Sequence, residues 1–157
     1  MTRWMILGLA ATLGAAVGAE LPTLADAAKK SDRAAVRLLL KPGANVNAAQ
    51  GDGTTALHWA SYKDDLETAD LLIRAGANVN AANDLGVTPL WTASQNGSVA
   101  MVRRLLAAGA NPNAKAPDGS TPLHQAVQEQ QVGMIRALAA AGGKLDAVNK
   151  DNLTPLL

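Results

Sequence analysis

Several residue types recur at every 33rd position of this 157-residue chain. The series are glycine at Gly43, Gly76, Gly109 and Gly142, and leucine at Leu24, Leu57, Leu90, Leu123 and Leu156 and at Leu39, Leu72, Leu105 and Leu138. A fixed period of this length is typical of repeat proteins, in which each unit buries its apolar face against the next unit. The period therefore predicts tandem units stacked in one direction.

Each period contains the signals of two short helices. Thr55, Thr88 and Thr121 precede the first helix, where a hydroxyl can accept a hydrogen bond from a free backbone N–H group. The second helix carries apolar residues three and four positions apart, which is the pattern of one buried face. In the second period these residues are Leu66, Ala69, Leu72 and Ile73. The recurring glycine ends this helix, because it adopts a left-handed conformation at little cost.

The segment between that glycine and the next threonine is rich in turn residues. It reads Asn-Val-Asn-Ala at 45–48 and 78–81 and Asn-Pro-Asn-Ala at 111–114, and a second Gly-containing turn follows each time. Asparagine and glycine favour tight turns. The pattern therefore predicts a hairpin-like tip between successive helix pairs.

These motifs resemble the ankyrin repeat. Residues 119–126 closely match its Thr-Pro-Leu-His-x-Ala signature, residues 53–60 match it in part, and residues 76–81 match the segment that ends each repeat. The chain departs from the family pattern at a few positions, namely Ala56 for proline, Trp91 for histidine, Asp64 and Gln130 for a mid-repeat glycine, and Lys144-Leu145-Asp146 for Asn-x-Asn.

The resemblance implies an all-α repeat solenoid, an ankyrin-type stack of helix–turn–helix units with hairpin-like tips, over residues 23–157. Its parts are an N-terminal capping repeat at 23–50, full repeats at 51–83, 84–116 and 117–149, and a partial repeat at 150–157. The partial repeat has two interpretations, in which it either belongs to a longer array or covers the end of the fourth repeat.

The first 19 residues have the layout of a secretory signal peptide. One positive charge at Arg3 precedes an uncharged apolar run, and Val17 and Ala19 place small side chains before a cleavage site after Ala19. An uncleaved membrane anchor and a buried first helix are the alternatives. Cleavage would yield an exported protein, periplasmic or secreted, with no membrane attachment.

Composition excludes several classes of protein. The chain has no cysteine, which excludes disulfides and thiolate-ligated metals. Its net charge of +1 lacks the basic field that nucleic-acid binding requires. Aromatic residues make up 3% and alanine numbers 33, which favours closely packed helices over a β-sandwich.

No motif in the sequence indicates catalysis, a cofactor or a metal. His58 and His124 lie two repeats apart, about 16–20 Å if neighbouring helices pack at the usual spacing, so one ion cannot join them. The acidic residues at 64–70 lack the spacing of a calcium loop; we expect Asp64 and Asp65 to cap a helix, and Glu67 and Asp70 to be exposed. The sequence therefore predicts no enzyme.

The resemblance implies that the protein binds another protein through the concave face, which is formed by the hairpin tips and the first helix of each repeat. The tip positions that this carries over are Asp52, Thr54, Asp84, Leu85, Val87, Asp118 and Ser120, and the first-helix positions are Trp59, Tyr62, Lys63, Gln95, Asn96, Gln128 and Glu129. These columns vary in residue type between repeats, so the scaffold does not require a particular residue there.

Trp59 and Tyr62 are the candidates for the centre of this surface, since Trp and Tyr are frequent anchors of protein interfaces. Trp91 either joins them at the surface or fills the slot between first helices. The resulting prediction is a monomeric, non-enzymatic, exported module that binds a partner protein. The alternatives are the non-catalytic arm of a longer enzyme and a membrane-tethered scaffold.

Overall fold

The computed structural model describes residues 22–156, and these contain eight helices in four consecutive pairs. The predicted signal peptide at 1–19 lies outside the described residues. The helices are α1 (Leu24–Lys29), α2 (Arg33–Leu39), α3 (Ala56–Tyr62), α4 (Leu66–Arg74), α5 (Pro89–Gln95), α6 (Val99–Ala107), α7 (Pro122–Gln128) and α8 (Val132–Ala140). Within this part of the chain, no helix is both long enough and apolar enough to cross a bilayer.

The helices form two rows. The first helices of the repeats, α1, α3, α5 and α7, each pack on the next, and the second helices, α2, α4, α6 and α8, do the same. The recurring leucines lie between the rows: Leu57, Leu90 and Leu123 come from the first helices, and Leu72, Leu105 and Leu138 from the second, all fully buried. Burial of one such side chain contributes about 1.5–3 kcal/mol. The predicted helical repeat stack is confirmed.

The helix starts follow the repeat as well. Thr88 accepts a hydrogen bond from the backbone of Trp91, as predicted. At the equivalent position of α3, the ring of His58 accepts from the backbone N–H of Thr55 at 3.1 Å instead. Asp65 caps α4 as predicted, by accepting from Thr68.

Asp64 does not cap α4, contrary to the prediction. It occupies the turn between the two helices, where the backbone is left-handed, with φ of 53°. Gln130 has the same conformation, and in the third repeat a glycine, Gly97, occupies this position. Ser31 adopts it in the first repeat, with φ of 54°. The turn therefore requires positive φ in every repeat, and the three non-glycine residues adopt it at a cost of about 1 kcal/mol each.

The segments between helix pairs form the predicted hairpin-like tips. In the tip before α3, Gln50 donates its backbone N–H to the carbonyl of Thr54 at 2.9 Å, and Asn83 does the same to Val87 before α5, at 3.0 Å. Adjacent tips are joined too, since the N–H of Asp84 donates to the carbonyl of Asp52 at 3.0 Å.

Asparagine side chains connect the repeats behind the tips. The side chain of Asn80 accepts from the backbone N–H of Asn111 at 2.7 Å and donates to the carbonyl of Gly109 at 3.1 Å. Asn47 and Asn113 make the same pair of bonds to the next repeat. Each bridge contributes to the interface between two repeats and keeps their spacing constant.

Ion pairs join the second helices, and they correct the expectation that Glu67 and Asp70 are simply exposed. Glu67 pairs with Arg33 at 3.0 Å and also with Arg37, and Asp70 pairs with Arg104. These pairs connect α2 to α4 and α4 to α6. Both acids are partly shielded as a result.

Candidate functional site

The predicted binding residues lie in the tips and in the first helices of the repeats. Most of their side chains are exposed, namely Asp52, Tyr62, Lys63, Asp84, Leu85, Gln95, Asn96, Asp118, Gln128 and Glu129, whereas Trp59, Val87 and Ser120 are half-buried. Thr54 departs from this pattern. It is only 8% exposed because its backbone belongs to the hairpin, so it offers little surface to a partner.

An aromatic and cationic cluster lies at the N-terminal end of the stack. The rings of Trp59 and Tyr62 meet edge to face, with centroids 6.0 Å apart and an interplanar angle of 88°. The Lys29 ammonium lies 4.8 Å from the centre of the Trp59 ring, and that of Lys63 lies 5.7 Å from the Tyr62 ring. Such cation–π contacts contribute about 0.5–1 kcal/mol each at exposed sites. The two rings are therefore held together on the surface.

A chain of hydrogen bonds through Gln50 and Asp26 orients Trp59. Its indole N–H donates to the side-chain oxygen of Gln50 at 2.8 Å, and the amide of Gln50 donates to Asp26 at 2.9 Å. Asp26 is fixed in turn by the backbone N–H and the hydroxyl of Thr23, and these bonds lower the pKa of its carboxyl. Side chains that are ordered before binding lose less entropy when a partner arrives. Trp59 is such a side chain.

A hollow of about 280 Å³ opens beside the two rings. It is lined by Asp52, Thr54, His58, Trp59, Tyr62, Asn83 and Thr92, which combine one tip, part of the next tip and two first helices. A side chain from a partner could enter here against the faces of both aromatic rings. The hollow therefore extends the aromatic cluster into a pocket.

The imidazole of His58 contributes to the wall of this hollow without being free to react. Its Nε2 lies 2.9 Å from the carbonyl of Val87 and its Nδ1 lies 2.8 Å from the hydroxyl of Thr55. Since a carbonyl only accepts, Nε2 carries the proton and Nδ1 accepts from Thr55. Burial lowers the pKa of His58 from its ordinary 6.5, so the ring is neutral at pH 7. Both ring nitrogens of His58 are therefore used in hydrogen bonds within the repeat stack.

Asp52 supplies one fixed negative charge at the rim of the hollow. Its carboxylate accepts from the backbone N–H of Thr54 at 2.9 Å, and this bond lowers the pKa of Asp52. The hollow thus offers aromatic faces, a neutral ring and a single carboxylate. Among residues 22–156, no group of three or more His, Asp or Glu side chains could hold a metal ion.

Trp91 does not join the aromatic cluster. It occupies in α5 the position of His58 in α3, and its indole N–H is buried without a hydrogen-bond partner in the described part of the chain. The residue as a whole is half-buried. Trp59 and Tyr62 alone form a ring pair among residues 22–156.

Sequence reasoning missed Lys29, Lys30 and Gln50. Lys29 and Lys30 precede Tyr62 and Lys63 by one 33-residue period, so the repeat register alone assigns them to the concave face. They were missed because the first repeat lacks the signature motif that marks this register. Gln50 carried no sequence signal, since its role depends on the side-chain rotamer of Trp59.

The three lysines form a basic region at this end. Lys29, Lys30 and Lys63 line a second hollow of about 610 Å³ together with Pro22 and Asp26. The tips further along the face carry Asp84 and Asp118 instead. The first helices are therefore basic beside the aromatic pair, and an aspartate recurs in the tips at Asp52, Asp84 and Asp118.

Stacked helix pairs with hairpin tips and inter-repeat asparagine bridges define a helical repeat protein. The chain belongs to the ankyrin repeat family. A family model of three ankyrin repeats matches residues 24–116, and the model of a single ankyrin repeat matches residues 118–150. No curated protein matches the chain. Ankyrin repeats are generally modules of protein–protein interaction and are typically not catalytic.

Proposed function

We propose that this protein is a non-enzymatic module that binds a partner protein through its concave face, with Trp59 and Tyr62 at the centre of the interface. The observation that carries the proposal is the orientation of the two rings. They are exposed in part, they meet edge to face, and Lys29 and Gln50 hold Trp59 in place. Aromatic side chains fixed beside a hollow are typical interface anchors.

Membership in the ankyrin repeat family supports a protein as the partner. The residues around Trp59 and Tyr62 support the location of the interface. Both nitrogens of His58 are used within the scaffold, so the hollow contains no ring available as a general base. A partly apolar hollow with one carboxylate at its rim suits a protruding side chain of another protein. The net charge of +1 gives no support to nucleic acid as the partner.

The test is substitution of both rings by alanine, with a matched control in the same columns. Gln125 and Gln128 occupy, two periods later, the positions of Trp59 and Tyr62. Proteins captured on the wild type should be lost from Trp59→Ala/Tyr62→Ala and retained by Gln125→Ala/Gln128→Ala. With the captured partner purified, the affinity should fall by more than about 30-fold, which corresponds to about 2 kcal/mol.

Circular dichroism and urea unfolding should show that both double variants keep the helical content of the wild type. Equal affinity of the wild type and the aromatic double variant would refute the location. Loss of binding only in the glutamine double variant would move the interface to the third and fourth repeats.

We also propose that the protein acts as an exported monomer after cleavage behind Ala19. The charged start, the apolar run and the small residues at 17 and 19 support this. Mass spectrometry of the protein from its native host should give Glu20 as the first residue. Retention of residues 1–19 in a membrane fraction would favour the tethered alternative.

A further inference from the structure

The outer face of the stack, formed by the second helices, is electrically balanced at its first two junctions. Between α2 and α4, Arg33 pairs with Asp65 at 2.9 Å and with Glu67 at 3.0 Å. Between α4 and α6, Asp70 pairs with Arg104. In both cases an arginine of one repeat meets an acid of its neighbour.

The third junction, between α6 and α8, breaks this pattern. One period after Asp70 and Arg104, the chain has Arg103 and Ala137. The acid is thus replaced by a cation, and the arginine by a methyl group. Neither α6 nor α8 contains an acidic residue, and no carboxylate of residues 22–156 pairs with Arg103 or with Arg136.

An open hollow lies at this junction. It measures about 420 Å³ and is lined by Arg103, Leu106, Arg136, Ala137, Ala140 and Ala141. Both arginines are exposed, and the other lining residues are apolar. The third junction therefore lacks two things that the second one has: a carboxylate between the helices, and the bulk of a long side chain.

We propose that this junction is a second binding site, for an acidic segment of another protein that carries an apolar side chain next to a carboxylate. The carboxylate would bind between Arg103 and Arg136, since the arginine fork binds carboxylates through paired hydrogen bonds. The apolar side chain would enter the hollow over Leu106 and Ala137. The site uses the second helices and is separate from the concave face.

Charge on the neighbouring helix favours a protein segment over an anionic membrane. Glu67 and Asp70 lie on α4, beside the junction, and would face the same lipid plane as Arg103 and Arg136. A flat anionic surface would meet both signs of charge there. A single acidic segment can contact the two arginines alone and place an apolar side chain in the hollow between them.

The test is an NMR titration of the full-length protein with short blocked peptides. The probe is Glu-Leu-Ala-Glu, and the matched peptides are Gln-Leu-Ala-Gln, without charge, and Glu-Ser-Ala-Glu, without the apolar side chain. With the probe, we expect saturable shifts of the Nε–H groups of Arg103 and Arg136 and of the methyl group of Ala137. Each matched peptide should bind at least tenfold more weakly.

Four double variants locate the binding. Arg103→Gln/Arg136→Gln should weaken the probe at least tenfold, whereas Arg37→Gln/Arg74→Gln removes the same charge from the outer face and should leave the affinity unchanged. Arg103→Asp/Ala137→Arg rebuilds the arrangement of Asp70 and Arg104 and should abolish binding. Trp59→Ala/Tyr62→Ala should bind the probe like the wild type, which separates this site from the proposed interface.

Several results would overturn the proposal. These are no saturable shift at Arg103, Arg136 and Ala137, equal binding of the charged and uncharged peptides, or equal weakening by the two arginine double variants. Phosphatidylglycerol vesicles provide the remaining comparison. If the wild type sediments with them, Arg103→Gln/Arg136→Gln does not, and the probe peptide fails to bind, the junction is a lipid site and the proposal is wrong.

Discussion

His58 connects two repeats through a single ring. Its Nδ1 accepts from Thr55 in its own repeat, and its Nε2 donates to the carbonyl of Val87 in the next tip. Both bonds require the neutral ring with its proton on Nε2. A second proton would remove the acceptor that Thr55 uses and would place a charge in a buried position. The protonation state of His58 is therefore coupled to folding.

Acidification from pH 7 to pH 5 should lower the free energy of unfolding. The pKa of His58 is lowered by burial in the folded chain and returns to about 6.5 when the chain unfolds. As the pH falls below that value, the unfolded state binds the proton first and is favoured. The loss is at most about 1.4 kcal/mol for each pH unit below 6.5. Urea unfolding at several pH values measures it.

A variant without this ring isolates the effect. His58→Gln should be less stable than the wild type at pH 7, and its stability should change less between pH 7 and pH 5, while His124 is common to both proteins. An identical pH slope in the two proteins would show that His58 does not carry the dependence. Proton NMR of the ring gives its pKa directly.

At the level of the structural element, the tips are joined by asparagines with divided roles. The first asparagine of each Asn-x-Asn segment bonds within its own turn, as Asn78 does to the backbone N–H of Asn80 at 3.0 Å. The second one reaches the next repeat, as Asn80 does to Asn111 and Gly109. The first asparagine therefore shapes the tip, and the second one connects two repeats.

Removing one bridge should destabilise the stack measurably. Asn80→Ala loses an acceptor and a donor between two repeats, and we expect a decrease of about 1–3 kcal/mol in the free energy of unfolding. Asn80→Asp keeps the acceptor for the N–H of Asn111 and loses the donor to Gly109, so its loss should be smaller when measured at neutral pH.

Asn45→Ala is the control, because Asn45 bonds only within its own turn, to the N–H of Asn47 at 3.1 Å. We expect urea denaturation to place it between the wild type and Asn80→Ala. An equal loss for the two alanine variants would mean that the bridge adds nothing beyond the local turn.

The sequence predicted the helix pairs and the tips because those features repeat, and each repeat supplied independent support for the same element. Bonds that run between repeats could not be predicted in this way. Asparagine in the tips indicated turns, but whether Asn80 turns towards its own repeat or the next depends on a rotamer. The pairing of Glu67 with Arg33 likewise depends on the distance between α2 and α4.

The structural effect of a departure from the family pattern could not be predicted from the sequence either. Gln130 replaces the glycine of the family pattern, and the sequence alone does not say which backbone conformation it adopts. The structure keeps the left-handed turn, with φ of 55° at Gln130. Packing of α7 and α8 on the neighbouring pair fixes the turn, and the residue adapts to it.

At the scale of the whole molecule, the candidate site is asymmetric although the scaffold is regular. The stack repeats its leucines and asparagines along its length, whereas the aromatic pair and the cluster of Lys29, Lys30 and Lys63 have no counterpart in the same columns of the third and fourth repeats. The register predicted which columns face outward. The contact between Lys29 and Trp59 could not be predicted, because it joins the first repeat to the second through side chains that do not recur in their columns.

In a linear stack of repeats, one end should be able to unfold locally while the rest stays folded. Helix α4 packs against α2, α3 and α6, whereas α8 packs mainly against α6 and α7. Leu72 on α4 and Met134 on α8 are both fully buried, so replacement by alanine should cost about 2–5 kcal/mol in either case. The consequence for the remaining helices should differ, because repeats are coupled through their neighbours.

Hydrogen exchange of the backbone amides distinguishes the two cases. Leu72→Ala should speed exchange from α1 through α6, since it loosens the helix on which both sides of the stack depend. Met134→Ala should speed exchange in α7 and α8 and leave α3 and α4 close to the wild type, so that the concave cluster around Trp59 persists. If Met134→Ala instead speeds exchange equally in all eight helices, the repeats unfold as one cooperative body, and a change at any repeat would reach the Trp59 surface.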